Sequence, residues 1–386
     1  MMKLMKGYRI LIVALLVIVG CGAPAAQEKK AAVTQKQKTA VAQAGKTAVA
    51  QAGKAAVAQA GKAEVYAVGF YNLENLFDTI HDQRKNDYEF LPDGTNKWTS
   101  EKYTHKLRNM ARVLADIGTD KVAGGCAAIG VAEVENARCL RDLCAQKPLK
   151  TRDVRYVHVE GPDNRGIDCA LLYNPRLFKV RNVKLVPYVY VKPEDADRAT
   201  RGFLVVSGTM GGEHVTIVVN HLPSRGAPSF AREEGGRQLR IVKDSLLRDD
   251  PGVKLLIMGD MNDDPQDRSM AVSLGAKRHM KDVESPGGLW NPWWDVLAKG
   301  TGTLTYQGAW NLFDQIIVSS SLLDREGTAT SLKLWQWEVF RRDYLLQQHG
   351  RYRGSPFRTF SGGNWIDGYS DHLPTVVYLR KVKKSL

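Results

Sequence analysis

Cysteine is scarce: there are five in 386 residues, and none falls in a Cys-x-x-Cys pair. That leaves no zinc-site spacing and no disulfide-stapled miniprotein. No His-Glu-x-x-His run and no serine elbow occur, so zinc-protease and serine-hydrolase chemistry have no carrier. Long apolar runs are also missing apart from Ile10–Val19, which removes a multi-span transporter. Acidic residues number 41 against 55 Lys and Arg, for a net charge of +14. Most of that excess lies near the N-terminus: residues 1–20 carry +3 and residues 21–65 carry +5, leaving +6 on 66–386. Such a charge permits an anionic substrate without demanding one. The remainder is ordinary, 44% hydrophobic and 25% charged. That composition is neither collagen-like nor wholly disordered, and the length suits one large domain or two small ones.

The N-terminus reads as an export signal over residues 1–20. Lys3, Lys6 and Arg9 form a basic region, and Ile10–Val19 is an apolar stretch short for a spanning helix. It ends Ile18-Val19-Gly20-Cys21, which resembles the bacterial lipoprotein box. The resemblance implies lipidation at Cys21, a membrane anchor and a place in the cell envelope; an uncleaved anchor helix is the alternative. Residues 21–64 form a linker in which Thr39–Lys46, Thr47–Lys54 and Ala55–Lys62 repeat one Ala/Gln/Lys-rich unit of eight residues. Such units have no large apolar residues to stack, so a soluble spacer is expected. Gly45-Lys46-Thr47 mimics the end of a phosphate loop, but position 40 is Ala and no strand precedes it. The cysteines after Cys21 are Cys126, Cys139, Cys144 and Cys169. In an exported protein they either pair or remain buried thiols.

From Val65 the texture changes to strand-length apolar runs that carry polar groups. Four runs end on them: Val65–Tyr71 on Asn72, Ala127–Ala132 on Glu133, Val215–Val219 on Asn220 and His221, and Lys254–Gly259 on Asp260 and Asn262. Three more start on or contain them: Asp168–Tyr173, Leu312–Val318 with Asp314, and the run opening Ser370-Asp371-His372. Helical periodicity covers Tyr103–Ile117, Glu135–Gln146 and Phe230–Leu247, the last interrupted by Gly235-Gly236. This alternation reads as an α/β domain over 65–386, with sheets inside and helices outside. A strand end is a good catalytic platform, because the sheet fixes it while its last side chain meets solvent. Carboxylates and amides are hard ligands for Mg²⁺, Mn²⁺ or Ca²⁺. Histidines move protons near neutral pH.

Taken in order, Phe70-Tyr-Asn-Leu-Glu-Asn75, Gly130-Val-Ala-Glu-Val-Glu135, Arg165-Gly-Ile-Asp168, Asn220-His-Leu-Pro-Ser-Arg225, Gly259-Asp-Met-Asn262, Phe313-Asp314 and Ser370-Asp-His-Leu-Pro374 resemble the endonuclease/exonuclease/phosphatase superfamily. The resemblance implies a four-layer sandwich of two packed β-sheets flanked by helices. It implies Glu133 as principal metal ligand, with Asn72 and Asp371 close by. Asp260 and Asn262 would align the attacking water and the phosphate. His221 and His372 would flank the phosphate as acid, base or donor, with Asp314 orienting His372 and Asp168 orienting His221. Asn220 and Arg225 are expected at the phosphate.

Competing readings are weaker for the strongest of these residues. Asp260-x-Asn262-x-Asp264 mimics a calcium loop, but that loop needs Gly where Pro265 stands and Glu where Ala271 stands. Glu135 is expected to be structural, and His81, His105, His158, His214, His279 and His349 have no supporting neighbours and receive no role. Leu332–Trp365 interleaves six cations with eight aromatic residues. That suits either a nucleic-acid groove wall or a satellite hydrophobic cluster. The expectation is a monomeric, exported, lipid-anchored, metal-dependent phosphoesterase acting on nucleic-acid phosphodiesters. A phosphorylated lipid or inositol headgroup is the alternative substrate, and a non-catalytic binding lipoprotein the alternative class.

Overall fold

The computed structural model describes residues 63–190 and 199–382. The export signal, Cys21 and the repeats lie outside the described residues. Strands β1 (Ala63–Leu76), β2 (Cys126–Val134), β3 (Arg155–His158) and β4 (Asp168–Tyr173) come first. Then follow β5 (Phe178–Val186), β6 (Phe203–Met210), β7 (Glu213–His221), β8 (Lys254–Asp260) and the short β9 (Ala276–Lys277) and β10 (Leu289–Trp290). A hairpin of β11 (Leu304–Tyr306) and β12 (Ala309–Asn311) precedes β13 (Asp314–Ser319) and β14 (Lys333–Val339). A second hairpin, β15 (Phe360–Ser361) and β16 (Asn364–Trp365), leads to β17 (Thr375–Val382).

Two mixed sheets result, ordered β14-β17-β1-β2-β4-β3 and β5-β6-β7-β8-β13-β10-β9. Strand alternation explains how they meet. Val68 and Phe70 of β1, Val219 of β7, Met258 of β8 and Ile316 of β13 are fully buried in one continuous core. Each such side chain contributes roughly 1.5–3 kcal/mol by leaving water. Gly130 of β2 is where the sheets approach closely: a Cβ there would stand 2.6 Å from the Met258 sulfur. Val218 and Ile257, on the opposite face, belong to a second core with Leu239.

Among the described residues, three helices of two turns or more complete the layers. In α1 (Ser100–Asp116), within the periodic range Tyr103–Ile117, the apolar stripe of Leu107, Met110, Ala111 and Leu114 is buried. Helix α2 (Ala137–Cys144) starts two residues later than periodicity predicts, because Asn136 caps it, its side-chain oxygen accepting from the amides of Arg138 and Cys139. Helix α3 (Ser229–Asp249) runs unbroken through Gly235-Gly236. The pair is a contact surface: a Cβ on Gly236 would sit 2.2 Å from the Ser269 carbonyl oxygen. Cys126, Cys139, Cys144 and Cys169 are free thiols, so pairing is not realised. Among the described residues no helix is long and apolar enough to cross a membrane.

Candidate active site

Strand parity brings the polar strand ends together. In the second sheet His221 pairs with Asp260, and Asp260 with Asp314, so the three stand side by side. They share the parity of Met258 and point between the sheets. From the first sheet Asn72 shares the parity of Phe70 and points the same way; its Nδ2 donates to Asp260 Oδ2 at 3.0 Å.

Glu133 reaches this place against the alternation. Its neighbours on the sheet-facing side are Gly130 and Ala132, so an unbroken strand would turn Glu133 toward the helices. A register shift between Ala132 and Val134 and a left-handed φ of +61° redirect it. Its Oε1 accepts from Asn72 Nδ2 at 3.3 Å, and its Oε2 from the Asn75 amide at 2.9 Å. Glu74, Asn75 and Asn262 also have positive φ, at 48°, 53° and 50°. Each non-glycine residue held this way costs about 1–2 kcal/mol, and strain of this kind gathers at functional sites.

His372 Nδ1 lies 2.6 Å from Asp314 Oδ2, and its Nε2 lies 3.8 Å from Asp260 Oδ2. Ser370 locks this loop to β1, its hydroxyl donating to the Asn72 carbonyl and accepting from the His372 amide. Burial opposes the imidazolium of His372, but Asp314, Asp260 and Asp371 hold its pKa well above the ordinary value. His221 is the reverse: burial, then Arg201, His372 and Arg165, push it well below. The surroundings therefore favour the cationic form of His372 and the neutral form of His221. Asp260 is pushed up to about 7 by burial, His372 opposing and Asp314 adding to the rise. Asp260 Oδ1 accepts from the Asn262 amide at 2.9 Å, and Asn262 Nδ2 donates to the Leu222 carbonyl. Asn262 thus fixes the Asp260 carboxylate.

Three expectations need correction. Asp168 does not orient His221. Its carboxylate is bound to His158 Nε2 at 2.9 Å and to the Gly161 amide, while His221 Nδ1 has no hydrogen-bond partner. Asn220 precedes His221 on β7 and has the opposite parity. It is fully buried and its Nδ2 donates to the Met258 carbonyl of the neighbouring strand β8. Arg225 is not a free cation: Asp264 and Asp267 bind it at 3.2 and 2.9 Å, and it stacks over Phe313. It braces the loop after Asp260. To the groove-wall reading of Leu332–Trp365 the objection applies in part: Arg342 and Arg358 are held by carboxylates, while Arg341 and Arg351 lie over aromatic rings. Phe340 is in the core.

Several participants had no role assigned from the sequence. Lys106 is buried in α1 and donates to Thr359 Oγ1 and the Tyr369 carbonyl, both at 2.6 Å. Burial pushes it down to about 8, with Glu74, Asp371 and Glu133 opposing. Glu74, pushed up to about 7 by burial and Asp371, accepts from the Thr359 amide and from Arg358. Arg358 donates in turn to Asp371 Oδ2 at 2.9 Å. This chain holds Asp371 in place. The signal for Lys106 was in the sequence: it occupies an apolar-stripe position four residues before Met110. On the other flank exposed Arg165 bonds Asn75 Oδ1.

A family model described as "Endonuclease/Exonuclease/phosphatase family" matches residues 67–381. The chain belongs to the endonuclease/exonuclease/phosphatase family. It is accordingly a metal-dependent phosphoester hydrolase. Solved structures share the fold. An endonuclease/exonuclease/phosphatase family protein from Bacteroides thetaiotaomicron is 15% identical, with 83% of this chain and 96% of that one covered at a TM-score of 0.50. ANGEL2, described as a 2′,3′-cyclic phosphatase, is 12% identical over 83% and 98%, at 0.50. A mannosyl-6-phosphatase from the same Bacteroides species is 16% identical over 81% and 99%, at 0.49. The sequence has no significant match among curated proteins.

The residues present fit the divalent ion this family uses. Glu133 and Asp371 offer hard carboxylate oxygens of the kind such an ion takes, and both are electrostatically coupled to Lys106 and Arg358. Asn72 is less free than expected, because its Oδ1 already accepts from the Glu74 amide at 2.9 Å. One lone pair remains on that oxygen, and the Nδ2 group spaces Glu133 from Asp260.

Proposed function

We propose that this site hydrolyses phosphate esters by in-line attack of water, with Mg²⁺, or Mn²⁺ or Ca²⁺ in its place, held by Glu133 and Asp371 with Asn72 beside them. When bound, such an ion neutralises charge that builds on the phosphate oxygen. The remaining work falls to this chain's own groups. Asp260, fixed by the Asn262 amide, takes the proton of the attacking water. His372, kept cationic by Asp314, donates from Nε2 to the phosphate. His221, neutral and 3.5 Å from Asp260 Oδ2 through its Nε2, completes the cradle opposite. The observation that carries this reading is the contact of both histidines with one carboxylate, Asp260, from either side.

For substrate, the pairing of Arg342 with Asp116 and Asp120 and of Arg358 with Glu74 and Asp371 favours a compact phosphate ester over a long nucleic acid, which needs a row of unspent cations. Nucleic acid is the second reading, supported by the exposed rings of Tyr306 and Tyr352 as stacking platforms. We also propose that the chain is a monomer, exported and tethered to the cell envelope through a lipid on Cys21.

The test is the full chain with Mg²⁺ against plasmid DNA, RNA and a phosphomonoester, in the parent, His221→Ala, His372→Ala and the double variant. Each single loss is expected at roughly 10²–10⁴-fold. The double loss should fall far short of their product, because both serve one transition state. Multiplicative losses would mean that the two histidines act in separate steps.

A further inference from the structure

Helix α1 has two faces with different work. Leu107, Met110, Ala111 and Leu114 enter the core. Lys102, His105, Lys106, Asn109 and Arg112 recur at helical spacing on another face, and all of them engage one stretch of chain, residues 357–369. That stretch is an arm of two legs. Hairpin β15–β16 closes its far end. Below the hairpin the Ile366 amide donates to the Thr359 carbonyl, and the Tyr369 amide to the Phe357 carbonyl. The legs lie so close that a Cβ on Gly368 would stand 2.1 Å from the Arg358 carbonyl oxygen.

Contacts with α1 run the length of the arm. At the hairpin Lys102 Nζ lies over the Phe360 and Trp365 rings, 5.7 and 5.6 Å from their centres. Lys106 Nζ bridges the legs, donating to Thr359 on one and to the Tyr369 carbonyl on the other. Asn109 Nδ2 donates to the Asp367 and Gly368 carbonyls at 3.1 and 2.9 Å, and His105 Nδ1 lies 2.9 Å from Asp367 Oδ2. Arg112 donates to the Tyr369 hydroxyl at 2.8 Å. Asp367 needs this hold, because its φ of +55° is unfavourable for a residue with a Cβ.

Both legs end at the site. The first carries Arg358, which donates to Asp371, and the second runs through Ser370 into Asp371 itself. His372 is buried and bound to Asp314 of the second sheet. Asp371 is half-buried, and its carboxylate follows the arm.

We propose that this polar face of α1 is a positioning device for the metal site, in which Asn109 and His105 set Asp371 by holding the bend at Asp367–Tyr369. The proposal rests on the reading of Glu133 and Asp371 as holders of the cation. Both are positioning residues, acting through the arm.

The test titrates the full chain with Mn²⁺ in the absence of substrate and reads the free ion by electron paramagnetic resonance, with thermal melts to verify folding. Asn109→Leu removes the donor and adds no charge near the ion. It should weaken Mn²⁺ binding about tenfold, the size of one or two lost hydrogen bonds. Turnover of a phosphomonoester at saturating Mg²⁺ should fall much less, so that the loss is read as metal demand rather than as kcat. His105→Ala should weaken binding by less, and His105→Asn, whose amide donates where Nδ1 stood, should restore it. The His105–Asp367 pair is half-exposed, so these two variants carry the test if Asn109→Leu does not fold. Gln238→Ala removes two main-chain bonds from α3 to Val189; it controls for stability and should bind Mn²⁺ like the parent. Parent-like binding in folded Asn109→Leu, equal weakening by Gln238→Ala, or no recovery in His105→Asn overturns the positioning role and leaves the hydrolase reading standing. A parent that binds Mn²⁺ but hydrolyses no phosphate ester removes the hydrolase reading and leaves the positioning role. A parent that binds no Mn²⁺ removes both.

Discussion

Replacing Asp314 with Asn probes the histidine pair most cleanly. The substitution keeps the shape and one acceptor oxygen but removes the charge 2.6 Å from His372 Nδ1. Asp314 is fully buried, so solvent does not screen that charge. Without it the imidazolium of His372 faces burial with only Asp260 and Asp371 in support, and its pKa falls. In the parent the raised pKa means that this pair's contribution to stability is complete below about 6.5, the ordinary imidazole value. It is lost only as pH rises through the folded value. The variant loses it earlier, so its stability deficit should grow from acid to neutral pH. Catalysis should follow: with His372 neutral at pH 7, the rate should drop by roughly 10²–10⁴, about 2.7–5.4 kcal/mol of barrier. The alkaline limb of the pH–rate profile should move toward acid. Steady-state hydrolysis of a phosphomonoester between pH 5 and 9, beside thermal melts across the same range, measures both effects. A variant with the parent's rate and the parent's pH profile would refute the role given to the pair.

Three further outcomes are expected. Gly259→Ala would set a Cβ 2.1 Å from the Asn220 carbonyl oxygen. It should cost about 1–3 kcal/mol by thermal melt and slow turnover, because Asp260 is the next residue. Lys106→Met leaves the Thr359 hydroxyl and Tyr369 carbonyl without their buried donor. A destabilisation of about 3 kcal/mol is expected, read by urea unfolding, and parent-like unfolding would show the lysine to be idle. Cys21→Ser should abolish uptake of labelled fatty acid by the expressed chain, and equal labelling would remove the lipid anchor.

The strand ends were legible because period-two alternation and polar termini survive in any one sequence: Asn72, Asp260, His221 and Asp314 meet as their motifs imply. The same rule, applied to Asn220 beside His221, would have turned Asn220 away from the phosphate, so that signal was available and unread. Glu133 is different. Its place depends on a bulge and a left-handed backbone that no residue type in Ala-Glu-Val announces. Asp168 found His158 rather than His221 because β3 lies against β4, with His158 opposite Ala170, a neighbour relation that sequence order hides. The surroundings of Asp371 were the least legible part. Arg358, Glu74 and Lys106, which hold it, come from three distant stretches of the chain, and composition alone gave no sign that they meet.

The most direct test of the account is metal add-back to the full chain after chelation, comparing the parent with Glu133→Gln in hydrolysis of a phosphomonoester. The account predicts no turnover in chelator, recovery with Mg²⁺, and a variant that needs more metal and remains slower at saturation. Equal rates with and without metal, or a variant indistinguishable from the parent across the titration, would contradict it.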